Sequence, residues 1–237
     1  MAGRVRVDGT RITKPGTEVR DSAAVVVEPG PQHVSRGALK LAGALDRFGV
    51  DPSGRTAVDV GASTGGFTQV LLERGARRVY AVDAGHGQLH EKLRADPRVV
   101  VLEQTNARNL SPREVSEPCG LATVDVSFIS VLKILPALRR VLAPGAEVVV
   151  LVKPQFEVGR FHVGPGGIVK DPALHLQALH DVAWAAQHEL GYASRGACAS
   201  PVTGAEGNRE FFLYLLGEGQ TVPPDELEAM LGKAVGA

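Results

Sequence analysis

Four residues in one short stretch, Gly61, Ser63, Gly65 and Gly66, together with Asp83 further on, have the types and spacing to hold a small ligand. Residues 56–72 read TAVDVGASTGGFTQVLL. Val58 and Val60 are β-branched and two apart, as on one face of a strand. The glycines allow backbone angles and close approaches that a Cβ forbids. Phe67, Val70 and Leu71 then follow at helical spacing. A helix N-terminus aimed into such a turn attracts anions, because its first N–H groups are unpaired and its dipole is positive there. A dinucleotide would want G-x-G-x-x-G, and Gly61-Ala62-Ser63-Thr64-Gly65-Gly66 lacks the second glycine at that spacing. S-adenosylmethionine carries no phosphate; it needs the helix end for its carboxylate and an acid for its ribose hydroxyls. Asp83, at the end of the next expected strand, is placed to be that acid. A bare strand-to-helix turn would carry the same glycines, so the ligand reading rests on their combination with Asp83.

The elements that position these residues alternate in type. Strands are expected at 79–83, 99–102, 121–126 and 147–152, and helices at 35–48, 88–94 and 130–142, the last ended by Pro144-Gly145. In the first of these helices Ser35 is the expected N-cap, Leu39, Ala42 and Leu45 the buried face, and Gly49 the stop. The strand at 147–152 is almost unbroken in apolar residues, as in a parallel sheet covered on both faces. Such alternation implies a doubly wound α/β fold with ligands at the C-terminal strand ends, where Asp59, Asp83, Asn106, Asp125 and Lys153 all fall. Residues 154–171 form a long irregular stretch, expected to act as a lid. A helix at 172–190 follows, its histidines His175, His180 and His188 expected at the surface or boundary and lacking the i, i+4 metal spacing; no metal is expected. Strands at 192–200 and 211–216 and a helix at 224–235 complete the chain. Ahead of all this, residues 4–28 read as a small unit with a hairpin turn at Asp8-Gly9, and 29–34 as a linker.

The chain has 237 residues, with 26 basic and 26 acidic side chains. That length suits one sizeable α/β domain plus a small appendage. Zero formal charge excludes a uniformly basic nucleic-acid binder but leaves room for a local basic patch. Cys119 and Cys198 are far apart with no Cys-x-x-Cys, which suggests small buried residues in a reducing, cytoplasmic setting. No run of residues has the length and apolarity of a membrane span, and no signal peptide is evident.

Six motifs, taken together, carry a resemblance. They are SRGALKL (35–41), DVGASTGGF (59–67), DVSFIS (125–130), LVKPQFE (151–157), GPGGIVKD (164–171) and GNREFFLY (207–214). In this order they resemble the TlyA (hemolysin-A-like) ribosomal RNA methyltransferases, whose catalytic domain is similar to the FtsJ-type 2′-O-ribose methyltransferases. The resemblance implies a Rossmann-like methyltransferase sheet at 35–237 and S-adenosylmethionine as cofactor. It also implies ribosomal RNA or ribosomal subunits as partner and a catalytic tetrad of Lys40, Asp125, Lys153 and Glu210. Cofactor contacts are implied for Gly61, Ser63, Gly65, Gly66, Asp83, Asn106 and Asp125, with Asn106 toward the adenine.

In such chemistry a ribose 2′-hydroxyl must be oriented and relieved of its proton for in-line attack on a sulfonium methyl. Lys153 is the candidate to take that proton or to hold the developing oxyanion. Whether Lys40 or the two acids govern its charge stays open at this point. The family opens with an S-four-type RNA-binding domain, of which residues 4–27 resemble only the hairpin end, so RNA binding by this unit is open. Arg4, Arg6, Lys14, Arg36 and Arg160 are candidate RNA contacts. Other readings are a methyltransferase acting on a base, disfavoured because DVSF stands where an Asn-Pro-Pro-Tyr-type motif would, and an RNA-binding or hemolysin-like protein with a vestigial fold. A nicotinamide oxidoreductase is more distant still.

Overall fold

The computed structural model describes residues 5–14, 16–27, 33–204 and 206–236. Arg4 and the Pro29-Gly30-Pro31 linker lie outside them. The described chain forms two units, divided after Val34.

The first unit is a three-stranded antiparallel sheet of β1 (Val5–Val7), β2 (Thr10–Ile12) and β3 (Val25–Val27), in the order β2-β1-β3. Asp8 and Gly9 both have positive φ, 49° and 81°, as a two-residue hairpin turn of the primed type requires. The Asp8 carboxylate accepts from the Ala24 backbone at 2.9 Å and so ties the turn to β3. Val25, Val26 and Val27 are all exposed, so this sheet has no buried β3 face of its own.

The second unit is built on a seven-stranded sheet: β4 (Thr56–Val60), β5 (Arg78–Val82), β6 (Val99–Leu102), β7 (Cys119–Val124), β8 (Leu142–Val152), β9 (Ala193–Ala199) and β10 (Phe211–Leu216). The spatial order is β6-β5-β4-β7-β8-β10-β9. β4 to β8 run parallel; β10 is antiparallel to β8, and β9 to β10. β4 has later strands on both sides, which makes its C-terminal end the topological switch point where a ligand crevice opens. The helices are α1 (Gly37–Phe48), α2 (Gly66–Glu73), α3 (Glu91–Arg94), α4 (Leu135–Leu138), α5 (Pro154–Glu157), α6 (Pro172–His188) and α7 (Pro224–Val235). Every residue of β4 is buried, and the side chains of β7, β8 and β10 fill the largest apolar cluster together with those of α6 and α7. None of the described helices is long and apolar enough to cross a membrane.

Several local expectations are corrected. Arg36, not Ser35, stands at the N-cap of α1, with no side-chain cap bond; Gly49 closes the helix in the left-handed region as expected. Leu39 is 49% exposed, and the buried face is Ala38, Leu41, Ala44 and Leu45 with Lys40 among them. The helix expected at 130–142 is broken into a 3-10 turn at Val131–Lys133, α4, and a second 3-10 turn at Arg139–Val141. Pro136 lacks the N–H that a continuous helix would use, and α4 restarts around it. Pro144-Gly145 lies inside β8 and ends nothing. The helix expected from residue 88 begins at Glu91. The stretch at 154–171 opens with the single turn α5 and adds two 3-10 turns, at Arg160–His162 and Pro165–Gly167. Cys198 is half-buried, whereas Cys119 is buried as expected. His175 is buried, 1% exposed, with Nε2 2.8 Å from the Val169 carbonyl oxygen and its ring 5.4 Å from that of Phe211. It shares the inward face of α6 with Ala178 and Leu179, three and four residues on.

Candidate active site

The strand register determines which side chains meet. Val60 pairs with Val82 and with Val124, so Gly61, Asp83 and Asp125 leave the sheet side by side. β8 runs further, to Val152, and β10 begins antiparallel to it with Phe211 opposite Val152. Lys153 and Glu210 therefore leave the same end of the sheet on adjacent strands, although one follows a strand and the other precedes one.

At the glycine corner, Gly61 has φ 86° and Gly65 φ 96°. The amides of Gly61 and Ala62 both donate to the Val82 carbonyl, at 2.8 and 3.0 Å. A Cβ on Gly61 would stand 2.1 Å from the Asp125 carbonyl oxygen; one on Gly66 would stand 2.2 Å from Ser35 Oγ. These glycines thus admit the chain's own backbone and side chains, which adds a packing reason to the ligand-approach reason expected from sequence. Asp59 does not face the crevice. It is fully buried inside β4, where Thr68 and Thr123 donate their hydroxyls to it at 2.7 and 2.9 Å, fastening α2 and β7 to β4. Burial pushes its carboxyl up to about 6.

Two adjoining cavities open at this edge, of about 620 and 550 Å³. Gly61, Ser63, Asp125, Ser127 and Phe128 line both. Asp83 and Asn106 line the smaller. The Asp83 carboxylate accepts from the Ser63 and Gly85 amides at 2.8 and 2.7 Å, one on each oxygen, which fixes its orientation and leaves lone pairs for hydroxyl donors. Asn106 Oδ1 accepts from the Arg108 backbone and guanidinium at 3.1 and 3.2 Å, so only its amide nitrogen is left to face a ligand. Glu103 steadies this wall. It gathers amides of the loop before α3, together with the Arg94 guanidinium, and these bonds hold its carboxyl down to about 2.

The larger cavity is bounded by Lys40, Lys153, Asp125 and Glu210 together, and also by Gly66 at the start of α2. Two ion pairs organise it. Lys40 Nζ lies 2.5 Å from Glu210 Oε2, and Lys153 Nζ lies 2.6 Å from Asp125 Oδ1 while donating to Ser127 Oγ at 2.9 Å. All four carriers are at least three-quarters buried at the side chain. The Lys40–Glu210 contact is also a hydrogen bond, whereas Asp125 Oδ1 meets Lys153 as an ion pair alone.

Side chains to which sequence reasoning gave no role also shape the site. Glu157 accepts from the Val131 amide at 3.0 Å and binds α5 to the loop after β7; burial raises its carboxyl. Asn208, 2% exposed, donates to the Gly167 carbonyl at 2.8 Å and accepts from the Val169 amide at 3.0 Å. It pins the segment expected as a lid against the turn that carries Glu210. Phe128 is 92% exposed, holds φ 63°, and packs its ring 5.2 Å from that of Phe156. A bulky side chain in the left-handed region is a strained conformation of the kind that clusters at functional sites. Each of these residues lies inside a motif noted above; only its partner, distant in sequence, reveals what it does. Of the candidate RNA contacts, Arg36 lines the larger cavity, Arg160 lies over the Phe161 ring at 5.1 Å, and Arg6 donates to the Gly9 carbonyl.

Comparison with known proteins identifies the family. The FtsJ-like methyltransferase family matches residues 33–216. A Mycobacterium tuberculosis protein named 16S/23S rRNA (cytidine-2′-O)-methyltransferase TlyA is 52% identical over 216 residues, covering 90% of this chain and 80% of that protein. The Bacillus subtilis protein YqxC, described as an rRNA methyltransferase, is 44% identical over 99% of this chain and 85% of its own length. Among solved structures, a proposed hemolysin of Lactococcus lactis superposes with a TM-score of 0.80 at 43% identity, covering 86% of this chain and 99% of that one. The seven-stranded sheet, the two lysine–carboxylate pairs and these relatives lead to one assignment: the chain belongs to the TlyA family of FtsJ-like methyltransferases.

Proposed function

We propose that this chain is an S-adenosylmethionine-dependent methyltransferase that modifies the 2′-hydroxyl of a cytidine ribose in ribosomal RNA. The observation that carries the reading is the pair of buried lysines, each on its own carboxylate, facing one cavity beside a glycine corner and Asp83. The names borne by its relatives support the substrate.

The residues fit S-adenosylmethionine. Asp83 offers carboxylate lone pairs for ribose hydroxyls, Asn106 an amide for the adenine, and Gly61, Ser63, Gly65 and Gly66 a corner at the positive end of α2. When bound, the cofactor supplies an electrophilic methyl. The remaining chemistry belongs to the protein. Lys153, held between Asp125 and Ser127, is the group placed to take the 2′-hydroxyl proton or to hold the developing oxyanion as the oxygen attacks. Lys40, fixed by Glu210, places a second positive charge at the same cavity to orient the hydroxyl oxygen. The exposed Phe128 ring offers a stacking face for an unpaired base at the mouth of the site. The small N-terminal unit, with Lys14 and Arg20 in the connection between β2 and β3, adds RNA contacts as the strand end of an S-four-type module.

The test is methyl transfer from labelled S-adenosylmethionine to purified ribosomal subunits, followed by nucleoside mass spectrometry. The expected product is 2′-O-methylcytidine, lost in Lys153→Ala while cofactor binding is retained. A methylated base, or a product that survives Lys153→Ala, overturns the reading.

A further inference from the structure

A third cavity, of about 530 Å³, lies away from both lobes of the site. It is bounded by the end of α1, by β9 and β10, and by α7, and three of its lining residues are cations: Arg47, Arg195 and Lys233. Nearby acids do not neutralise them. Asp46 is held by Arg74 at 2.6 Å, and Glu147 is taken by Arg55 and the Tyr214 hydroxyl. Glu226 is the single carboxylate in the lining, which leaves an excess of two positive charges in a chain with none overall.

Two backbone features aim this surface. Tyr214 pairs with Gly196 but Leu215 pairs with Ser194, so Arg195 is the extra residue of a β-bulge on the edge strand. A bulge re-aims the side chain it carries, and the Arg195 guanidinium is then fixed by the Ser194 and Gln220 carbonyls rather than by an acid. Gly196 gives room to Phe48, whose ring stacks 5.4 Å from that of Tyr214; a Cβ there would stand 3.1 Å from the Phe48 ring. Cations beside an aromatic pair match the two parts of a nucleic-acid strand, since cations take phosphate oxygens and aromatic faces take bases.

The surface is also in line with the active site. Lys40, Gly43 and Arg47 follow one another at three- and four-residue steps on one face of α1. Lys40 reaches Glu210, Gly43 packs on Pro201, and Arg47 reaches the third cavity, about 10 Å along the helix axis from Lys40. We propose that this cavity is a second docking surface, which takes the phosphate backbone of the ribosomal RNA flanking the target nucleotide. The inference rests on the RNA substrate proposed above.

The test is the charge reversal Arg47→Glu/Lys233→Glu beside the neutral Arg47→Gln/Lys233→Gln, assayed on intact subunits and on deproteinised ribosomal RNA. Each cation also lies in the last turn of its helix, where it complements the dipole; thermal melts read that contribution separately. The expected result with both substrates is a KM raised about tenfold or more in the reversal variant. The slope of log affinity against log salt should fall by about 2 in either variant, with kcat and cofactor affinity unchanged. Unchanged KM and salt slope, with the wild type active, overturn the docking surface and leave the enzyme standing. A loss confined to intact subunits assigns the surface to a ribosomal protein and overturns the RNA contact. No transfer by the wild type to either substrate overturns both proposals.

Discussion

Lys40 Nζ and Glu210 Oε2 lie 2.5 Å apart across 170 residues of sequence, with 11% and 4% of their side chains exposed. The pair joins the first helix of the methyltransferase unit to the strand that completes its sheet, so it bears on folding as well as on chemistry. Glu210→Gln leaves a buried ammonium unpaired and should cost about 3–5 kcal/mol of stability, together with most of the methyl transfer. Lys40→Met/Glu210→Gln removes the stranded charge and should recover much of that stability but none of the activity. Urea midpoints set beside transfer rates separate the two effects.

Gly61→Ala should be far more damaging than Gly49→Ala. Both positions have positive φ, 86° and 68°, which costs a side-chain-bearing residue about 1–2 kcal/mol. Nothing stands within 4 Å of a Cβ on Gly49, whereas one on Gly61 meets the Asp125 carbonyl oxygen. The first variant should lose cofactor binding, measured by calorimetry; the second should show only the backbone cost in its melting temperature.

Asp59 makes stability depend on pH. Its carboxyl is raised from 3.8 to about 6 by burial, so the folded state holds a proton that the unfolded state has released between those values. Its contribution therefore falls as pH rises through that window, by up to about 3 kcal/mol. Asp59→Asn should flatten this slope between pH 4 and 6, read as the difference between wild-type and variant urea midpoints.

Glu103 acts with the opposite sign. Its carboxyl is held down to about 2 from 4.5, so its contribution is full above 4.5 and is lost as pH falls toward 2. Glu103→Gln should loosen the loop before α3 at neutral pH. Faster amide exchange at Gln88 and Leu89 and a weaker cofactor affinity would report it.

Phe128→Ala should raise the KM for RNA without lowering the melting temperature, because the ring is 92% exposed. Phe128→Gly should be the more stable of the two variants, since glycine accepts φ 63° without strain. Equal KM values for wild type and Phe128→Ala would remove the ring from base recognition.

By itself the sequence determined the alternating βα order, the glycine corner at 61–66, the strand ends carrying Asp83, Asp125 and Lys153, and the motifs that reveal the family. These are local features: period, turn chemistry and short spacings act between residues a few positions apart. Tertiary structure decided which of those polar groups face the crevice. Asp59 and Asp125 both lie at or next to the end of a parallel strand, yet Thr68 and Thr123 hold Asp59 inside the sheet while Asp125 opens on the cavity. Lys40, beside the apolar face of α1, meets Glu210 only because β10 folds back antiparallel to β8. The antiparallel return of β10, the burial of His175 and the grip of Asn208 on residues 167–169 depend on contacts between segments remote in sequence. Local pattern cannot specify such contacts, because they come into being only when the sheet closes over its core.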